Sequence, residues 1–171
     1  MKKNQLVEIY SSSEDSFTVG YIIYEDKKRI LVNSIDDQGR KDGYLLLKKS
    51  LIEKIERGTD YLEKIEKYRS FWGKTKLGTS DNPVFTEKPD FYDLIKYAHK
   101  YKKVITLATS FDYYDYSTGY VDYFDEDIVA IKALDQNTGE LYEDFEIEIK
   151  DIILAEVENI DNLLLEYVNK R

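Results

Sequence analysis

One short pattern occurs twice in this chain and constrains its fold more than any other feature. Residues 20–26 and 119–125 share four identities at a constant spacing of 99 residues. Gly20, Tyr21, Tyr24 and Asp26 recur as Gly119, Tyr120, Tyr123 and Asp125. Self-similarity at a fixed spacing is the sequence signature of a repeated structural unit. The chain is therefore predicted to carry one small unit twice.

The repeat extends into the hydrophobic residues on both sides. One inserted residue aligns the turn glycines Gly39 and Gly139, and a further slip of two residues aligns Leu62 with Leu164. The first slip falls in a turn and the second in a strand, where an insertion or a bulge is tolerated best. Four identities in a heptad could arise by chance. The matching order of hydrophobic strands around them favours an internal duplication.

Each unit is predicted to contain five short strands joined by polar turns. The predicted strands of the first unit cover residues 6–10, 17–24, 29–35, 44–48 and 51–56, and those of the second cover 104–109, 116–124, 128–134, 141–149 and 152–158. A helix is predicted over residues 60–68, and another over the apolar residues from Ile160 to Tyr167. Five short strands with tight turns are typical of a small barrel.

The predicted boundaries are a first module at 1–68, a linker at 69–89, and a helix with the second module at 90–171. The linker contains both prolines of the chain. Asp90 and Asp93 have the spacing of an acidic capping box at the start of the helix. Its apolar residues recur at helical spacing and should form one buried stripe; they are Phe91, Leu94, Ile95 and Ala98.

A helix followed by five strongly bent strands, with the repeated Gly and Asp near the end of the second strand, resembles the Sm-like fold. The resemblance covers residues 90–158, and also 4–56 without the leading helix. It implies a mostly β protein with short helices, made of two tandem five-stranded Sm-like or SH3-like barrels. SH3-like barrels of other kinds share this order of strands.

The residues with which that family holds an RNA base are missing from the pattern. The family typically has an Asn after the Asp, and a later Arg-Gly pair. Lys28 and Asp127 stand near the position of the Asn, and Leu51-Ile52 and Ile152-Ile153 at that of the Arg-Gly pair. The resemblance therefore implies the scaffold without its RNA pocket.

Charge is distributed unevenly and points to a partner. Residues 1–68 carry 13 basic and 13 acidic side chains, whereas residues 103–171 carry 5 and 17. Within the acidic half, one loop alternates aromatic and acidic residues: Phe111, Asp112, Tyr113, Tyr114, Asp115 and Tyr116. Tyr and Asp together suit a cationic surface. The alternative is that these tyrosines pack against the linker or the other module.

The leading hypothesis is a cytoplasmic, non-enzymatic protein that recognises a basic protein partner through this loop, as an inhibitor, immunity or adaptor protein would. The rival hypothesis is weak RNA binding by a small cationic set: Lys27, Lys28, Arg29, Trp72, Lys74 and Lys76. Pairing of exposed strand edges could also produce a homo-oligomer.

Catalytic and cofactor chemistry find no support in the sequence. The chain has one histidine, His99, and no cysteine, so neither a catalytic triad nor a zinc site is predicted, and no cofactor is expected. Two aspartate pairs recur between the units, Asp26 with Asp125 and Asp36 with Asp135. Each lies at a strand end, where Asp favours turns. Paired catalytic carboxylates are the alternative. No apolar run approaches the ~18 residues of a membrane span.

Overall fold

The computed structural model describes residues 5–11, 17–75, 85–111 and 115–169. Within these residues the protein is mostly β, with ten strands and three short α-helices. In chain order the elements are β1 Leu6–Ser11, β2 Phe17–Glu25, β3 Arg29–Ile35, β4 Lys41–Lys48, β5 Ile52–Glu56, α1 Asp60–Thr75, α2 Phe91–Tyr101, β6 Val104–Ala108, β7 Tyr116–Phe124, β8 Ile128–Leu134, β9 Leu141–Glu148, β10 Leu154–Val157 and α3 Ile160–Asn169.

All ten strands belong to one antiparallel sheet, in the order β5-β1-β2-β3-β4-β10-β6-β7-β8-β9. The order of the first five strands recurs in the second five, with β10 in the place of β5 and β9 in the place of β4. Pairing of β4 with β10 joins the two halves. The sheet is not closed, so the two tandem barrels predicted from the sequence are not confirmed.

The repeated Gly and Asp have structural roles in both halves. A Cβ atom at Gly20 or Gly119 would collide with the backbone of the neighbouring strand, so these sites require glycine. The Asp26 carboxylate accepts the N–H groups of Lys28 and Arg29, and Asp125 accepts the equivalent pair in the second half. The predicted turn chemistry of these aspartates is therefore confirmed.

α2 forms as predicted and anchors the largest hydrophobic cluster. Asp90 and Asp93 make both hydrogen bonds of the capping box, and the predicted apolar stripe is buried. The first cluster, as we call it, includes this stripe and residues from both halves. Leu31, Tyr44 and Leu46 contribute to it from β3 and β4. We call the face of the first half that carries these three side chains its outer face. This outer face is thus covered by the second half.

The length of α1 and the alignment of the two halves differ from the sequence prediction. α1 ends at Thr75, so residues 69–75 of the predicted linker are helical. The two halves also keep one spacing, of 100 residues, beyond the turn glycines: Gly58 and Glu158 share a left-handed backbone, and Thr59 and Asn159 both cap the following helix. The further slip of two residues in the sequence alignment is therefore wrong.

This spacing changes the interpretation of α3. Leu62 corresponds to Asn162 and not to Leu164. Asn162 is buried and bonds the hydroxyl of Thr106, whereas Leu164 is 57% exposed. Leu62, by contrast, is buried in an apolar cluster of the first half. The two halves therefore share a backbone plan but differ in how the closing helix is held.

Candidate partner-binding site

β9 is the strand whose surroundings differ most between the two halves. It lies at one edge of the sheet, and among the described residues only β8 pairs with it. Its counterpart β4 lies at the centre of the sheet, paired on both sides by β3 and β10. An edge strand presents backbone N–H and C=O groups that are open to a further strand.

Side chains on the outer face of these two strands also differ. In β4 this face carries Tyr44 and Leu46, which are buried in the first cluster. At the spacing of 100 residues, β9 carries Asp144 and Glu146 in the same places, and both are exposed. Ile147, which points to the other side, still packs against the first cluster. The substitution of acid for apolar residues is therefore confined to the outer face.

Neighbouring strands extend this acidic surface. Lys132 in β8 lies opposite Asp144, and its Nζ donates to the Asp122 carboxylate of β7 at 2.6 Å. That hydrogen bond raises the pKa of Lys132, so the lysine stays charged and is already engaged by Asp122. We use the name acidic face for five exposed residues of β7 and β9: Asp122, Tyr123, Asp144, Glu146 and Glu148.

Tyr123 gives the acidic face an exposed aromatic ring. It is 56% exposed, while its counterpart Tyr24 packs against the first cluster. Its hydroxyl donates to Asp125 at 3.0 Å. Two backbone N–H groups and this hydroxyl hold the pKa of the Asp125 carboxyl below its usual range, so Asp125 stays ionised. The ring is therefore oriented by the turn that follows β7.

The predicted recognition loop is described only in part. Asp112, Tyr113 and Tyr114 lie outside the described residues. Phe111 and Tyr116 are partly buried and pack against a second hydrophobic cluster, which is formed largely by first-half residues. Asp115 is exposed, and its carboxylate accepts the hydroxyl of Ser110. The two described aromatic rings thus contribute to packing between the halves.

The described members of the predicted RNA-binding set are not brought together. Lys27 and Lys28 are exposed in the turn before β3, where Arg29 pairs with Asp26 at 3.2 Å. The Trp72 indole instead donates to the Gln38 carbonyl, in the turn after β3. The length of β3 separates the two groups, about 20 Å at ~3.3 Å per residue. Lys74 lies in α1 without a described side chain, and Lys76 lies outside the described residues.

A largely buried polar network holds α3 against the other elements of the second half. The Glu166 carboxylate accepts the Val104 N–H at 3.0 Å, and Tyr97 donates to Glu158 at 2.6 Å. Lys103 lies within 3.6 Å of both carboxylates. Burial and the Glu158 carboxylate raise the pKa of Tyr97, so its hydroxyl remains a donor. These groups fasten the helix to the sheet.

Metal-binding geometry is not found within the described part of the chain, where no three His, Asp or Glu side chains group suitably. Nor does any helix there have the length and apolar character to cross a membrane. His99 is exposed near the end of α2, with its ring against Phe124.

Comparison with protein-family models, curated proteins and solved structures finds no match to this chain. The Sm-like resemblance therefore remains a prediction from the sequence. Among the described residues, the edge strand β9 and the acidic face beside it are the best candidate for a binding surface.

Proposed function

We propose that this protein acts by binding, without catalysis, and recognises a basic protein partner through its acidic second half. The observation that carries the proposal is the contrast between β4 and β9. The same face of the repeated unit is a covered apolar interface in the first half and an open acidic surface in the second half. An inhibitor, immunity or adaptor protein would use such a surface.

The charge distribution supports a cationic partner. Residues 103–171 carry 17 acidic and 5 basic side chains, so the acidic face lies within a larger negative region. A field of one sign steers an oppositely charged partner and raises its association rate. Screening by salt acts over about 10 Å at ~0.1 M ionic strength. Binding of this kind should therefore weaken steeply as salt is added.

The recurring strand order supports a structural part of the same proposal. We interpret the halves as two copies of an Sm-like or SH3-like barrel unit that arose by duplication. Asp26 and Asp125 hold the same turn, and Gly20 and Gly119 make the same close approach. In this interpretation the first copy is the scaffold on which the second copy is mounted through β4 and α2. The second copy keeps its own outer face free.

A basic peptide with alternating Lys and Val residues tests the proposal directly. Its affinity is measured at low and high salt for the wild type and for the double variant Asp144→Asn with Glu146→Gln. The matched control neutralises two exposed acids of the first half, Glu53→Gln with Glu63→Gln. We expect the first variant to lose at least about fivefold in affinity at low salt, and the control less than about twofold. Equal losses in both variants would contradict the proposal.

The loop of the sequence hypothesis is tested in the same assay. A variant with Asp112, Tyr113, Tyr114 and Asp115 all replaced by Ser removes the loop's polar and aromatic side chains. If the acidic face is the main contact, this variant keeps most of the affinity. A loss larger than that of the β9 variant would place recognition in the loop.

A further inference from the structure

We propose that the basic partner binds by adding a β-strand to the outer edge of β9. This inference rests on the proposed function and specifies how the partner is held. The occupant is a segment of a different, basic protein, in extended conformation and antiparallel to β9. Main-chain hydrogen bonds to an exposed edge supply affinity in this mode, and alternate side chains supply specificity.

The pairing of β4 with β10 shows that this edge of the repeated unit accepts a strand. Leu154 lies opposite Leu47, Ala155 opposite Leu46, and Val157 opposite Tyr44. The backbone of β9 has the same place beside β8 that β4 has beside β3. What is an internal junction in the first half is thus an unpaired edge in the second half, among the described residues.

Transfer of this register to β9 predicts the side-chain pattern of the occupant. Successive residues of the added strand lie opposite Ile147, Glu146, Phe145 and Asp144. Ile147 and Phe145 are partly buried, and Glu146 and Asp144 are exposed. The complementary segment therefore alternates apolar and cationic residues. Opposite charges on facing positions of paired strands are stabilising, and like charges are destabilising.

A second copy of this chain fits the edge less well. Within the described part of the chain, the strand at the other end of the sheet is β5, and the same register sets its Ile55 opposite Glu146. Two residues along, Glu53 would face Glu148, which places like charges together. Acidic side chains on an edge strand are a common means of preventing self-association. The acidic residues thus disfavour the homotypic partner and favour a basic one.

Three peptides of equal charge separate strand addition from simple charge attraction. The first alternates Lys and Val, the second has Pro in place of one central Val, and the third groups its Lys and Val residues in blocks. Pro removes a backbone donor and is poorly tolerated in a paired strand. We expect the Pro peptide to bind about tenfold more weakly than the first. Infrared spectra of the first peptide, carrying ¹³C carbonyls, should show a β-strand band only when bound.

Each result has a distinct meaning. Weak binding of the Pro and block peptides, with a β-strand band for the alternating peptide, supports strand addition. Equal, salt-sensitive binding of all three peptides, with loss in the Asp144→Asn and Glu146→Gln double variant, overturns strand addition and leaves the acidic face as the binding surface. If the double variant binds the peptides as tightly as the wild type does, both strand addition and the proposed function are overturned.

Discussion

Replacement of Leu94 by Ala tests whether α2 joins the two halves into one unit. The Leu94 side chain is fully buried in the first cluster, which also contains Leu31, Tyr44 and Leu46 of the first half. The substitution removes three carbon groups, worth about 0.8 kcal/mol each in transfer free energy, and leaves a cavity. We expect a loss of about 3–4 kcal/mol in the free energy of unfolding.

The assay is thermal unfolding followed by circular dichroism and calorimetry. In a chain of this size, 1 kcal/mol lowers Tm by about 2–4 °C, so the expected decrease is about 6–16 °C. Leu164→Ala is the matched control, because this leucine is 57% exposed and should change Tm little. The Leu46→Ala variant should destabilise the same single transition from the other side of the cluster. An unmoved transition, or a shift in only one of two resolved transitions, would refute this arrangement.

Three further predictions concern acid stability, the α3 network and the edge. Because hydrogen bonds hold the pKa of Asp125 below the unfolded value of about 3.9, its contribution to stability is complete above that pH and is lost below it. Tm measured between pH 7 and 3 should therefore fall at the acid end, and Asp125→Asn should flatten that fall. Asn162→Leu should lower the free energy of unfolding by about 1–3 kcal/mol, since the Thr106 hydroxyl loses a buried partner. An unchanged free energy in urea unfolding would show that this hydrogen bond does not stabilise the protein. Asp144→Tyr with Glu146→Leu gives β9 the outer side chains of β4, so size-exclusion chromatography should show concentration-dependent association that the wild type lacks at equal concentration.

Local patterns in the sequence were sufficient to predict much of the fold. The repeated Gly lies where a Cβ atom would collide with the next strand, and the repeated Asp accepts two N–H groups of the turn. The repeated pattern therefore located the second strand and its turn in both halves. The apolar stripe of α2 and its capping box were predicted because helical spacing determines which side chains share a face.

The arrangement of the two halves could not be predicted in this way. Pairing of β4 with β10 joins residues that are more than a hundred positions apart in the chain. The apolar pattern of a strand does not indicate which distant strand pairs with it or in which register. The sequence also did not indicate which side chains of the helix over 160–169 are buried. Asn162 and Glu166 are buried, because the Thr106 hydroxyl and the Val104 N–H offer them partners.

The candidate site had a signal in the sequence that the repeat alone did not reveal. Residues 140–148 place acids where the first half has Tyr44 and Leu46, but this comparison needs the correct spacing and the knowledge that β4 is covered. The sequence predicted the loop around Tyr113 instead, because this loop alternates aromatic and acidic residues. Composition identified the acidic half, whereas the position of β9 in the sheet identified the surface within it.

Hydrogen exchange with and without the alternating Lys and Val peptide tests the central claim most directly. Amides of an unpaired strand edge exchange rapidly, and a bound strand protects them. We expect new protection within Leu141–Glu148, concentrated around Asp144 and Glu146, which disappears at high salt. Protection confined to residues 111–116 or to Lys27–Arg29, with β9 unchanged, would contradict it.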